Sequence, residues 1–123
     1  MIWDFQGDRP IYLQIVEQVQ LRIVSGYYSA GSKLPAVRDL AAEASVNPNT
    51  MQKALADLER KGLVYSQRTA GRFITEDKSM IEQIKQSLAR EQVDEFLKKM
   101  QALGCTVGEV ITLLSQMEKE EIK

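Results

Sequence analysis

Leu34 to Ile74 reads LPAVRDLAAEASVNPNTMQKALADLERKGLVYSQRTAGRFI, and its punctuation spells two short helices, a tight turn and a small hairpin. Pro35 can open a helix, because its missing N–H would have no intrahelical partner there, and Val37, Leu40, Ala41 and Ala44 then recur at helical spacing. The pattern breaks at Ser45-Val46-Asn47-Pro48. There Asn47 offers an N-cap side chain, and Pro48 opens a second helix with its φ already set. That helix carries Met51, Ala54, Leu55 and Leu58 on one apolar stripe, while Asn49, Thr50, Gln52 and Lys53 fall off the stripe in the first two turns. Lys61-Gly62 is a stop signal. Leu63-Val64-Tyr65 and Phe73-Ile74-Thr75 then read as two strands, joined by Ser66 to Arg72.

Helix, turn, helix and hairpin in this order place a polar helix start where it can enter a DNA groove. Asparagine or glutamine can bond N6 and N7 of adenine together, so Asn49 and Gln52 are expected to read base edges. Lysine and a helix N-terminus suit phosphate or guanine. Arg38, Lys53, Arg68 and Arg72 are expected to hold phosphates or the narrow minor groove, where arginine is favoured electrostatically. Two plainer readings stand beside these: Arg38 can pair with Asp39 or Glu43, and Gln52 and Lys53 can be part of a solvated helix face.

Working outward, Ile11, Ile15, Val19 and Ile23, with Tyr12 and Val16, predict a long first helix from Pro10 to about Ser25. Lys33-Leu34 is expected to form a short strand beside the hairpin. Ile2, Trp3 and Phe5 form an apolar arm ahead of the first helix, read as a lid on the core or else a ligand or partner contact. After a charged hinge at 76–79 the helical pattern returns with Met80, Ile81, Ile84 and Leu88, and continues through Val93, Phe96, Leu97, Met100 and Leu103. Gly104 caps it. Thr106 followed by Glu109 is a capping-box pattern, and Val110, Ile111, Leu114 and Met117 make the stripe of a last helix. Two helices alone leave these faces wet. Pairing with a second copy through Ile84, Leu88, Val93, Phe96, Leu97, Met100, Val110, Ile111, Leu114 and Met117 is therefore expected, with packing back onto the first domain as the alternative. The organisation expected is a DNA-binding domain over residues 1–76 and a helical dimerisation tail over 77–123. The fold class is mainly α with a small β wing.

Composition narrows the function classes. The chain of 123 residues has no histidine and a single cysteine, Cys105. The commonest neutral-pH base and the commonest metal ligand are thus missing, and no nucleophile motif or phosphate cradle takes their place, so neither catalysis, a metal nor a cofactor is expected. No run of residues suggests a membrane span and the N-terminus lacks a signal-peptide pattern, so a cytoplasmic protein is expected. The net charge of −1 is low for a DNA binder. Its distribution helps: from Gly31 to Thr75 seven basic residues face four acidic ones, whereas from Asp77 onward seven face nine. With few phosphate contacts per copy, binding is expected to need a dimer on two half-sites.

The run from Gly26 to Ile74, with Pro10 to Gln14 ahead of it and Gly31, Leu34-Pro35, Arg38, Leu40-Ala41, Val46, Thr50, Ala54, Leu58, Gly62 and Gly71 as its marks, resembles the winged helix-turn-helix domain of GntR-type bacterial transcription regulators. The two-helix tail and the turn VNPNT are similar to the small YtrA-like branch, which lacks large ligand-binding domains. The resemblance implies a homodimeric repressor on a pseudo-palindromic double-stranded DNA operator, often near ABC transporter genes. It implies that Arg38 touches DNA backbone or bases, that Asn47, Asn49 and Thr50 lie at the reading end of the recognition helix, that Gln52 faces bases one turn on, and that Gly71 marks the wing tip. Two positions depart from the family pattern. Pro48 stands where arginine is frequent, and Ala70-Gly71-Arg72-Phe73 replaces the usual Gly-x-Gly. Two further readings remain: a winged-helix adaptor that binds protein without specific DNA binding, and an added small effector between the tail helices or against Trp3 and Phe5.

Overall fold

Pro10 precedes the first helix, α1 (Ile11–Val24), whose buried face is Ile15, Val16, Val19 and Ile23. The computed structural model describes residues 1–122. After α1 come α2 (Val37–Ala44), α3 (Pro48–Arg60), β1 (Val64–Gln67), β2 (Gly71–Ile74), α4 (Lys78–Ala102) and α5 (Val107–Ile122). The core is built from the α1 face, Leu40, Ala41 and Ala44 of α2, Met51, Ala54, Leu55 and Leu58 of α3, and Leu34, Leu63, Val64 and Ile74 around the hairpin. Each fully buried Leu, Ile or Met contributes about 1.5–3 kcal/mol by leaving water.

The helix start read at Asn47-Pro48 is as expected: the Asn47 side chain accepts from the Asn49 N–H at 2.8 Å, and Pro48 is the first helical residue. The turn before it is closed by Ser45 in the left-handed conformation, φ +56°, with the Val46 N–H donating to Ala41 at 3.0 Å. At the far end of α3, Gly62 has φ +82° and Leu63 N–H reaches back to Leu58 at 3.1 Å. A side chain at Gly62 would be strained there. The α2 helix begins two residues later than Pro35 suggests. Leu34 is still held in extended pairing, its N–H donating to Arg72 at 2.9 Å, so the chain turns helical only after Ala36.

The wing is a two-stranded antiparallel hairpin in the register Val64↔Ile74, Tyr65↔Phe73, Ser66↔Arg72 and Gln67↔Gly71. The expected short strand is present as a bridge between Lys33 and Phe73, supported by the Ile74 N–H donating to Ser32 at 2.8 Å. Pairing runs further toward the tip than the apolar residues alone indicate. The loop is only Arg68-Thr69-Ala70, with Gly71 at φ +106° re-entering the strand, so Arg72 sits within β2 rather than in the loop.

Along α1, three polar side chains spaced four apart bind the N-terminal arm. Gln14 accepts from the Gln6 N–H at 2.7 Å and donates to the Gln6 and Arg9 carbonyls at 2.8 and 2.9 Å. Gln18 donates to the Asp4 carbonyl at 2.6 Å and accepts from its N–H at 3.3 Å. The Arg22 guanidinium lies 3.6 Å from the Trp3 ring centroid and donates to the Tyr28 hydroxyl at 3.1 Å. Trp3 and Phe5 thereby close over the core, while Ile2 stays exposed.

The chain divides into two compact units, Met1–Lys85 and the remainder from Gln86, with the boundary inside α4. The first unit therefore extends past the hinge expected at 76–79, which is itself a helix start: Asp77 accepts from the Met80 N–H at 3.0 Å. Met80, Ile81 and Ile84 then pack on the core. In the second unit the capping box is reciprocal. Thr106 N–H donates to Glu109 at 3.2 Å, and Glu109 N–H donates to Thr106 Oγ1 at 3.1 Å.

Candidate nucleic-acid interface

The first turns of α3 present their polar side chains outward because the opposite face, Met51, Ala54, Leu55 and Leu58, is wholly buried. Asn49, Gln52 and Lys53 are exposed, and Thr50 is half-buried. The side chains of Asn49 and Gln52 make none of the hydrogen bonds formed among the described residues, leaving both amides free to bond outward. Asn47 is different. Its carboxamide oxygen is taken by the helix cap, so its first task is to start α3 at a fixed residue. Asn47→Ala is expected to destabilise the first unit by about 1 kcal/mol, visible as a lower urea midpoint at unchanged slope. A loss of base preference without that shift would instead assign Asn47 to reading.

Ion pairing sorts the cations. Arg60 and Lys61 both pair with Asp57, at 2.7 and 3.5 Å, and Arg72 pairs with Glu59 at 2.8 Å. Among the described residues Lys33, Arg38, Lys53 and Arg68 make no ion pair, so their positive charge is uncompensated. Arg38, in the first turn of α2, is exposed and joins neither Asp39 nor Glu43. Lys53 lies with its ammonium 3.8 Å from the centre of the Tyr12 ring, a cation–π contact that orients it from α1. Arg68 stands exposed in the three-residue wing loop. Lys33 carries no sequence signal of its own, although it belongs to the basic excess of this segment. It lies exposed beside the wing, its Cε 3.1 Å from where a side chain on Gly71 would begin. An open cleft of about 720 Å³ separates the start of α2 from the wing, lined by Lys33, Pro35, Val37 and Asp39 on one side and Thr69 and Arg72 on the other.

Glu59 is the second residue that sequence reasoning misses, since beside Asp57, Arg60 and Lys61 it reads as part of a solvated charged face. Its carboxylate accepts from Ser66 Oγ on β1 and from Arg72 Nε on β2. The Ser66 hydrogen bond first, and the Arg72 guanidinium with it, hold the Glu59 carboxyl below its usual value of 4.5. A depressed value means that this contact is complete above pH 4.5 and weakens as pH falls through the lowered value.

The apolar residues assigned to pairing fall into two sets. Val93, Phe96, Ile111, Leu114 and Met117 are exposed, and Leu88, Leu97 and Met100 half-buried. Ile84 packs against the core of the first unit, and Val110 is only 3% exposed. The side chains of these last two are already occupied.

A helix-turn-helix followed by a two-stranded wing is the arrangement to which comparison with known proteins also leads. Residues 11–74 match the family model of bacterial regulatory proteins, gntR family. The chain is 41% identical over 107 residues to the uncharacterized HTH-type transcriptional regulator YhcF of Bacillus subtilis, covering 87% of this chain and 88% of the relative. It is 36% identical over 95 residues to the HTH-type transcriptional repressor YtrA of the same organism, covering 76% and 73%. A GntR family transcriptional regulator from Listeria monocytogenes superposes with a TM-score of 0.83 at 39% identity, over 91% of this chain and 98% of that one. The DNA-binding domain of AraR, solved in complex with operator ORX1, superposes at a TM-score of 0.55 and 31% identity over 58% of this chain and 93% of that one. With more than half its length matched by the family model and close to nine-tenths aligned to YhcF, a transcriptional regulator by name rather than an enzyme, the chain belongs to the gntR family of bacterial regulatory proteins and has the winged helix-turn-helix fold.

Proposed function

We propose that the protein binds double-stranded DNA as a homodimer, each copy laying α3 in the major groove of one half of a pseudo-palindromic operator, and represses the adjoining genes. The observation that carries this reading is the start of α3, where the amides of Asn49 and Gln52 are exposed and free, together with the exposed, unpaired cations Arg38 on α2, Lys53 on α3 and Arg68 in the wing loop. Amides without internal partners can specify bases, and cations on three separate elements can fix the helix against phosphates around them. Lys33 joins the phosphate set. Genes of ABC transporters are the targets that the resemblance to the YtrA-like branch suggests, and selecting bound fragments from the host genome would report site, symmetry and neighbouring genes together.

Arg38→Ala supplies the direct test. It is expected to weaken binding to every duplex about tenfold and to reduce the slope of log affinity against log salt by about 1.8, about 0.9 for the one phosphate that each copy of the dimer no longer neutralises. Unchanged affinity at all salt concentrations would remove Arg38 from the interface. A protein-binding adaptor of the same fold differs in kind: burial of an apolar groove is far less sensitive to salt.

A further inference from the structure

We propose that Glu59 is a positioning residue for DNA binding, tying the wing to the recognition helix, and that Arg72 is its internal partner rather than a DNA contact. This rests on the DNA-binding reading above.

The three side chains stand on three different elements. Glu59 is in the last turn of α3, while Ser66 and Arg72 face each other across one rung of the hairpin. A single carboxylate oxygen, Oε1, accepts from both, so one group on the reading helix holds both strands of the wing at the same level. One further rung, Gln67↔Gly71, separates that level from the loop carrying Arg68. A two-stranded hairpin is marginal by itself. Its second strand is tied on one side by backbone bonds, from the Ile74 N–H to Ser32 and from the Leu34 N–H to Arg72. The Glu59 contact is the one ion pair among the described residues that joins α3 to the wing, and it reaches both strands through their side chains. It sets the direction in which Arg68 points relative to Asn49 and Gln52.

The same geometry argues against Arg72 as a phosphate ligand. Its side chain is 18% exposed, against 70% for Arg60, and Glu59 is 30% exposed. Moving the guanidinium to a phosphate would leave a partly desolvated carboxylate without its partner and facing a polyanion. Asp57, two residues earlier, has its partners on or just beyond its own helix and does nothing for the wing. Tyr65 and Phe73, stacked at 5.7 Å on the adjacent rung, stiffen the hairpin that Glu59 holds.

Opposite signs make the test decisive. Binding to a random-sequence duplex is measured against salt for the wild-type protein, Glu59→Gln, Arg72→Gln and the charge-exchanged double variant Glu59→Arg with Arg72→Glu. Simple electrostatics predicts that removing the Glu59 charge tightens binding. A positioning role predicts that Glu59→Gln, which keeps a hydrogen-bond acceptor and so the mildest change in shape, weakens it about threefold. Arg72→Gln is expected to weaken binding about three- to tenfold with the salt slope unchanged, and the double variant to recover most of that affinity. Tighter binding by Glu59→Gln, a slope reduced by about 1.8 in Arg72→Gln (about 0.9 per copy), or a double variant weaker than Arg72→Gln would each overturn the assignment. Salt-insensitive binding by the wild-type protein is a separate outcome, which would overturn the DNA reading itself and this role with it.

Discussion

With Asn49 replaced by alanine, discrimination between operator and random duplex is expected to fall about tenfold or more, while affinity for random duplex changes by no more than about twofold. The asymmetry follows from what Asn49 does inside the protein. Its backbone N–H is held by Asn47, but its side chain is exposed and has no internal partner, so truncation leaves the helix start intact. The preceding residue, Pro48, brings no side chain that can donate to a base, which leaves Asn49 as the first amide along α3 able to bond an adenine edge in two places. A bidentate pair of this kind is worth about 1–3 kcal/mol per base pair, and a symmetric operator presents it twice. Gel-shift titration against a selected operator and a random duplex reads both numbers. Equal weakening on the two would make Asn49 a general contact and transfer base reading to Gln52.

What can be read in the sequence is what local spacing encodes. Asn47-Pro48, Gly62 and the Thr106–Glu109 box each place their partners within five residues, and each forms as expected. The family, the helix order and the wing follow from the same local signals. Elements that depend on distant partners are not legible. Glu59 and Arg72 are thirteen residues apart and meet only because Gly62 turns the chain back, so in the sequence Glu59 looks like part of a solvated face. Gln14 and Gln18 read as ordinary polar positions of α1, yet their amides substitute for a neighbouring strand in binding the arm. The start of α2 differs from its sequence signal for a related reason. Pro35 permits a helix, but the pairing of Leu34 with β2 holds the chain extended through it. The division into compact units after Lys85 is not legible, because apolar spacing in α4 is continuous and does not say that Met80, Ile81 and Ile84 face one core while Val93 and Phe96 are exposed.

That division determines how pairing should be tested. A fragment ending at Glu76 would strip Met80, Ile81 and Ile84 from the first unit's core, confusing instability with the absence of a partner. Phe96→Glu and Leu114→Glu avoid this, since these side chains are 41% and 53% exposed and their replacement leaves the core untouched. If a second copy covers them, each substitution buries a carboxylate without a partner in both copies, a cost of several kcal/mol. Sedimentation is then expected to show a monomer. Operator affinity should fall by about a hundredfold or more, because the second half-site no longer binds as part of the same molecule, while binding to an isolated half-site should change little. Val110→Ala provides the contrast: at 3% exposure Val110 is already covered in one copy, so its truncation should lower stability and leave the association state alone. Variants of Phe96 and Leu114 that remain dimeric and hold the operator as the wild type does would place the pairing surface elsewhere. The weak net charge would then have to be offset by more phosphate contacts per copy than Lys33, Arg38, Lys53 and Arg68 provide.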